Sequence, residues 1–268
     1  TNAEVARRSE ALKTALLDSV SHDLRTPLAT IRAAAGSMLD DSVGWTAQDR
    51  HDAFQTIDTE AERMGRLVRN LLDLSRIEGG ALKPELEACD LDDLIAQVVK
   101  RAAAATTKHV RVELPDFVPP VLADQLYLGQ VLANLLENAI RHGGDEVRVR
   151  ASRCPDGLVE ISVEDDGSGV PKAALPHLFE KFYQAGPPGE AKRGGMGIGM
   201  TVVEGLTRAM HGEVAAGRSD LGGLRVDVRL QPATMPDQLA KVSATVSGAG
   251  TDGPTGEAPP DVAPESGR

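Results

Sequence analysis

The chain has 268 residues, enough for two ordinary domains, and 41% of them are hydrophobic, so a packed core is expected. Aromatic residues make up only 3%, which directs that core toward aliphatic helix seams and away from an aromatic-rich sandwich. The formal charge of −11 argues against a nucleic-acid partner, because phosphate backbones select basic surfaces; a nucleotide needs only a local pocket.

In chain order, the first element is a long helical pattern from about Ala11 to Leu39. Leu12, Leu16, Leu17, Val20, Leu24, Leu28, Ile31, Ala35, Met38 and Leu39 recur on one side of it. Asp40 to Gly44 carries turn chemistry. Thr46 then reads as the N-cap of a second helix running to Glu78 and ended by Gly79-Gly80. In this helix Phe54, Ile57, Ala61, Met64, Val68, Leu71 and Ser75 form a heptad seam, widened by Leu67 and Leu74. The two helices make a hairpin that cannot enclose both its seams alone, and a twofold copy completing a four-helix bundle is the simplest solution. A homodimer is therefore expected.

From about Cys89 the texture changes. Leu91–Ala105 and Leu126–His142 read as helices. Val110–Leu114, Val121–Ala123, Val147–Ala151 and Leu158–Val163 read as strands, followed by a helix at Met200–Met210 and strands at Val214–Ala216 and Leu224–Leu230. Helices and strands mix without strict alternation, which points to an α+β two-layer sandwich. The expected division is 1–10 as the end of an upstream helix, 11–80 as the hairpin, 81–87 as a linker, 88–232 as the sandwich and 233–268 as a disordered tail rich in Pro, Gly and Ser. Cys89 and Cys154 have neither the number nor the spacing of a zinc or disulfide framework. No apolar run approaches the roughly 20 residues of a membrane span. The chain opens at Thr1 without Met, and is read as a cytoplasmic piece whose parent is membrane-anchored, if at all, through a missing upstream region.

The histidine at 22 is placed by geometry. With Leu12 at zero, the apolar side of the first helix centres near roughly 110° and His22 falls near roughly 280°, facing water. Thr26 shares that outward face, and Asp23 is its direct neighbour. Pro27 stands within the helix at a cost of about 3 kcal/mol. A solvated imidazole with pKa of about 6.5 is largely neutral at pH 7 and can act as a nucleophile, with a nearby carboxylate to orient it and take its proton. Ser21-His22-Asp23-Leu24-Arg25-Thr26-Pro27-Leu28 resembles the phosphoacceptor box of two-component sensor histidine kinases. The resemblance implies that His22 accepts phosphate, that Asp23 assists as base, and that Thr26 positions the water that later dephosphorylates a partner response regulator. The Asp after His, and the run from Leu12 to Met38, are similar to the kinases of the potassium-sensing type.

No GxxxxGK[ST] motif occurs, so a P-loop is excluded. Two glycine clusters stand in its place: Asp165-Asp166-Gly167-Ser168-Gly169 after an apolar strand, and Gly195-Met196-Gly197-Ile198-Gly199 leading into a helix. Asn134 and Asn138 lie at i and i+4 on one helix face, and an amide oxygen is a hard ligand suited to Mg²⁺. Together these resemble the ATP-binding domain shared by histidine kinases, gyrase-type topoisomerases, Hsp90-type chaperones and mismatch-repair ATPases. Asn134 to His142 is similar to its N box, Leu178-Phe179-Glu180-Lys181-Phe182 to its F box, and Gly222-Gly223 to a last glycine element.

By that resemblance ATP and Mg²⁺ bind here. Asp165 takes the adenine amino hydrogen bond, and Asn138 holds the metal. Asn134, Arg141 and His142 lie toward the phosphates, alongside Gly167, Gly169, Phe182, Gly195, Gly197 and Gly199. Lys192 and Arg193 reach the phosphates from a lid running from Tyr183 to Met196. Asp166 stands where the family more often has Asn, and its extra charge is expected to weaken nucleotide affinity. The implied activity is ATP-dependent phosphorylation of His22, then transfer to a response-regulator receiver domain. A conformational ATPase of the gyrase or chaperone type is disfavoured, since those relatives use a Glu base where this chain has Asn134 and lack the His22 helix. A phosphatase-only scaffold would be expected to have lost the pocket motifs.

Overall fold

The computed structural model describes residues 20–21, 23–39, 44–104, 106–185 and 196–233. His22, Lys192, Arg193 and Gly195 lie outside the described residues, as do most of the expected lid, the start of the first helix and the expected tail.

Helix α1 is described at residues 20, 21 and 23–38 and runs through Pro27, which is buried. Helix α2, Ala47–Glu78, opens with a capping box. The Asp49 amide donates to the Thr46 hydroxyl at 3.1 Å, and the Thr46 amide donates to Asp49 Oδ2 at 2.8 Å, so two orphan donors are satisfied at once. At its other end Gly80 takes φ +61° and the Ala81 amide reaches back to the Arg76 carbonyl at 2.9 Å. The Thr46 start and Gly79-Gly80 stop are thus as the residues dictate.

The remaining elements are β1 (Glu87–Cys89), α3 (Leu91–Ala103), β2 (His109–Glu113), β3 (Val121–Ala123), α4 (Gln125–His142), β4 (Glu146–Arg153), β5 (Val159–Asp165), a 3₁₀ turn at Leu175–His177, α5 (Gly199–Ala209), β6 (Glu213–Arg218) and β7 (Leu224–Leu230). Five strands form one sheet in the order β2-β4-β5-β7-β6, with β2 and β4 parallel and the other neighbours antiparallel. Strand β3 leaves this sheet and pairs antiparallel with β1, a strand the sequence pattern did not predict because Glu87-Ala88-Cys89 carries no β-branched or aromatic residue. Asp90 and Asp124 cap α3 and α4. Asp124 takes amides of Leu126 and Tyr127 on Oδ1 and that of Glu85 on Oδ2 at 3.0 Å, so the cap also pins the approach to β1.

One sheet face is aliphatic: Val147, Val149, Val159, Ile161, Val163, Val226 and Val228 are buried in one cluster with Leu128, Leu132, Leu135, Leu136 and Leu206 of the helices. The helices cover that face, which gives the expected two layers. The other face is a lattice of arginines and carboxylates set opposite one another by strand register. Arg148 donates to Glu164 Oε2 at 2.8 Å, where the Ser219 hydroxyl also donates at 3.1 Å. Arg225 and Arg229 each donate to Glu160 at 2.8 Å. The aliphatic stems of these arginines cover β5, so all seven of its residues are buried although alternate ones are polar.

Glu164 is fully buried. Burial pushes its carboxyl up, but the hydrogen bond and charge of Arg148, with Ser219 and Arg225, outweigh that and hold it below the ordinary carboxylate range. Its Oε1 has only the ion-pair approach of Arg150 at 3.7 Å, with no hydrogen bond. Replacing Glu164 by Gln should therefore cost about 3 kcal/mol, by leaving Arg148 without its anion, and lower the urea midpoint accordingly. Since the folded pKa is depressed, the contribution of Glu164 is complete above its unfolded value of about 4.3 and is lost as pH falls toward the lower folded value. The gap between wild type and Glu164→Gln should close over that acid range.

Candidate functional site

Two glycine turns and a helix end converge on Asp165, the last residue of β5, which is 3% exposed. Its Oδ1 accepts the Gly167 amide at 2.9 Å and the Leu224 amide at 3.2 Å, and its carbonyl accepts the Gly223 amide at 3.1 Å. Among the described residues Oδ2 has no hydrogen bond, so one oxygen is fixed and the other is kept for a donor. Burial raises the carboxyl above its ordinary range, partly countered by the two amides.

This approach is possible only because the neighbours lack side chains. A Cβ at Gly223 would collide with Asp165 Oδ1 and lie 2.6 Å from the Gly167 nitrogen. A Cβ at Gly143 would sit 2.7 Å from the Asp165 Cβ, and one at Gly167 would sit 2.6 Å from the His142 carbonyl. Gly169 and Gly222 take φ of +70° and +112° and turn the two loops back on each other. The first glycine cluster, the Gly222-Gly223 element and the end of α4 are thus one structure. His142 remains exposed; its imidazole is held below the ordinary range by desolvation first and by the Arg141 cation, with Asp165 pulling the other way.

The second glycine cluster joins the F-box segment. The Phe182 amide donates to the Gly197 carbonyl at 3.0 Å, and the Thr201 hydroxyl of α5 donates to the Phe179 carbonyl at 3.0 Å. Gly197 has φ +66°, and a Cβ there would lie 2.8 Å from the Phe182 carbonyl carbon. Phe182 itself sits at φ +64°, a conformation that bulky residues hold only where the surroundings impose it. Gly199 opens α5, whose first amides are those of a helix N-terminus.

The two asparagines of α4 have different surroundings. Asn134 exchanges hydrogen bonds with Asn70 of α2, at 3.3 and 3.4 Å. Gln130, one turn earlier, donates to Asn70 at 3.3 Å and to the buried Asp73 at 2.6 Å. Glu137 lies 3.2 Å from Arg66 of α2 and accepts from Arg141 at 3.0 Å, so Arg141, expected at the phosphates, is engaged on its own helix. Ile77 packs against Gly205 of α5, and Lys181 pairs with Glu78 at 2.5 Å. Leu74, assigned by the heptad pattern to the bundle seam, is buried in the same cluster as α4 and α5. Asn138 is half-buried and, among the described residues, has no hydrogen-bond partner. The α2 contacts of Asn70, Asp73 and Arg66 escaped the sequence reading because polar residues beside a heptad seam read as a solvated face.

Asp166 is engaged by main-chain donors. Its Oδ1 accepts the Glu146 amide at 3.0 Å and its Oδ2 the Asp145 amide at 3.2 Å, and backbone hydrogen bonds, that of Glu146 foremost, hold its carboxyl below the ordinary range. The carboxylate is thus kept ionised and turned onto main-chain donors of the α4–β4 turn. Lys108, which the sequence did not single out, donates to the Gly143 carbonyl at 2.8 Å on the same turn.

On α1, Ser21, Arg25 and Thr26 are exposed and Asp23 is half-buried. Arg25 and Thr26 follow position 22 by three and four residues, and His22 itself lies outside the described residues. Leu28, Phe54, Val68 and Leu72 of the two hairpin helices are 49%, 64%, 44% and 53% exposed in the single chain. No helix among the described residues is long and apolar enough to cross a membrane, and no cluster of three or more His, Cys, Asp or Glu able to hold a metal ion occurs among them.

Two family models match this chain. Residues 12–80 match the His Kinase A (phospho-acceptor) domain, and residues 123–234 match the histidine kinase-, DNA gyrase B- and HSP90-like ATPase. The sensor protein KdpD of Mycobacterium tuberculosis is 35% identical over 236 residues, covering 85% of this chain and 27% of that protein. The alginate biosynthesis sensor protein KinB of Pseudomonas aeruginosa is 35% identical over 222 residues, covering 81% of this chain and 36% of that protein. The chain thus spans less than half the length of these curated relatives. Among solved structures, full-length ShkA in complex with AMPPNP superposes with a TM-score of 0.56 at 26% identity, covering 82% of this chain and 46% of that one.

The packing around Asp165 makes a sharp prediction. Replacing Gly223 by Ala must displace either the Asp165 carboxylate or the Gly167 backbone, so binding of an adenine nucleotide should weaken by at least about tenfold in calorimetry. On the α2 side, Asp73→Ala removes the acceptor of Gln130 and should cost about 1–3 kcal/mol, read as a lower melting temperature.

Proposed function

We propose, for a chain that belongs to the sensor histidine kinases and carries their catalytic core, that it transfers the γ-phosphoryl group of ATP to His22 and then passes it to an aspartate of a response regulator. The observation that carries this reading is the presence in one chain of the Asp165 cradle and the eight-residue phosphoacceptor box. In the reaction a bond forms between an imidazole nitrogen of His22 and the γ-phosphorus while the bond to the β,γ-bridging oxygen breaks, giving ADP and phosphohistidine and releasing the imidazole proton. Asp23 is the base for that proton. Catalysis is mainly positioning of donor and acceptor in line.

On this reading Asp165 Oδ2 accepts the adenine amino hydrogen, and the backbones of Gly167, Gly169, Gly197 and Gly199 approach the nucleotide closely. Phe182 shapes the wall between the glycine turns. Asn134, Arg141 and His142 face the phosphates once α4 is free of α2, and Lys192, Arg193 and Gly195 belong to the lid. Asn138 fits a Mg²⁺ site: its amide has no hydrogen-bond partner among the described residues, and a metal that keeps its waters and takes phosphate oxygens needs no carboxylate cluster. Bound there, Mg²⁺ would offset phosphate charge.

The hairpin, residues 11–80, serves as dimerisation and phosphotransfer domain, and residues 88–232 as the ATP-binding domain. The exposed Leu28, Phe54, Val68 and Leu72 are the apolar face a second copy would cover. Thr26, exposed one turn from position 22, suits a water-positioning role in removing phosphate from the regulator. The form of the box supports the potassium-sensing subfamily, and the catalytic portion is read as cytoplasmic, with a membrane anchor, if there is one, upstream of it.

Incubation with γ-labelled ATP tests the assignment. The protein should acquire label that survives base and is lost in acid, and His22→Gln should acquire none. Steady release of inorganic phosphate without labelling would instead make the protein a conformational ATPase.

A further inference from the structure

The turn between α4 and β4 lies directly beneath Asp165, and nearly every polar main-chain group in it is tied down. The Gly143 amide caps α4 on the Ala139 carbonyl at 2.8 Å, and the Gly143 carbonyl takes the Lys108 ammonium at 2.8 Å. The Asp145 carbonyl accepts the His109 amide at 2.9 Å, and the Glu146 carbonyl accepts the Asp166 amide at 3.2 Å. The amides of Asp145 and Glu146 go to the two separate oxygens of Asp166, and the Gly144 amide also favours that carboxylate's charged form. The turn is also pressed against the site: Gly143 leaves no room for a Cβ beside that of Asp165, and a Cβ at Gly144 would lie 2.8 Å from Asp166 Oδ1. A side-chain amide could not replace this carboxylate. It has one acceptor oxygen, and its NH₂ would face an N–H donor.

We propose that Asp166 is a positioning residue for base recognition: its two carboxylate oxygens clamp the α4–β4 turn against Asp165, and so hold Asp165 Oδ2 where an adenine amino group is read. The proposal rests on the reading of Asp165 as the adenine-binding carboxylate. Asp166 touches no substrate; it acts through the turn. The second acceptor oxygen is the feature used in this turn: with Asn, the more usual residue of the family at this position, one of the two amides here would lose its acceptor.

The test compares ATP with inosine triphosphate, which carries a carbonyl where adenine carries its amine, on the full chain and on Asp166→Asn. Wild type should prefer ATP. In Asp166→Asn the ATP dissociation constant should rise about fivefold, as expected for one charge-assisted hydrogen bond, while that for inosine triphosphate stays near wild type, so the preference shrinks. The rate at saturating ATP should be unchanged, the loss appearing in KM. A purely structural role would lower the melting temperature and leave the preference intact, and that result overturns the proposal. A wild type indifferent to the base would instead remove the adenine role of Asp165 itself. If Asp166→Asn does not fold, Lys108→Met frees the same turn from its other side and carries the same expectation: reduced preference supports the clamp, and full preference refutes it.

Discussion

A carboxylate cannot be buried at the end of a strand unless donors surround it, and Asp165 meets that requirement with main-chain amides alone. Gly167 and Leu224 supply two N–H groups to one oxygen, and the absence of side chains at Gly143, Gly167 and Gly223 lets the backbones come that close. The consequence is that three segments far apart in sequence are locked around one atom. Displacing any of them changes the geometry of the oxygen that is left available.

The rest of the sandwich supports this arrangement by making β5 immobile. Its inward residues lie among the leucines of α4 and α5, and its outward residues lie under the stems of Arg148, Arg225 and Arg229. A central strand sealed on both faces gives Asp165 and Asp166, which leave its end, a rigid base. The charge lattice is nearly self-neutralising, so the charges of the polar face are balanced by its own register, although Glu164 Oε1 and Arg148 Nε make no hydrogen bond among the described residues.

Helix α2 serves two structures at once. Its exposed apolar residues lie on the hairpin, while Arg66, Asn70, Asp73, Leu74 and Ile77 meet α4, α5 and the catalytic core. The face of α4 that carries Asn134 is engaged by α2 in this arrangement, whereas Asn138 has no hydrogen-bond partner among the described residues. Two amides that look equivalent at i and i+4 are therefore distinguished by tertiary contact, and the hydrogen bonds to Asn70 are of the modest kind that water or phosphate oxygens can replace.

Much was legible beforehand because it is local. The Thr46 cap, the Gly79-Gly80 stop, β7 from Leu224 to Leu230 and the α4 repeat follow from periodicity and terminal chemistry, and the motifs around His22, Asn138 and Asp165 are contiguous strings. What the residues alone could not decide is which partner each polar group takes. Asp166 looked like surplus charge near a nucleotide and accepts main-chain amides of the α4–β4 turn; Lys108, which no pattern singled out, donates to a carbonyl at the end of α4; Leu74 looked like bundle seam and is buried with the residues of α4 and α5. The physical reason is the same in each case: helix and strand preferences depend on neighbours within a few residues, whereas a hydrogen bond or buried contact depends on which distant segment the fold brings within about 3 Å.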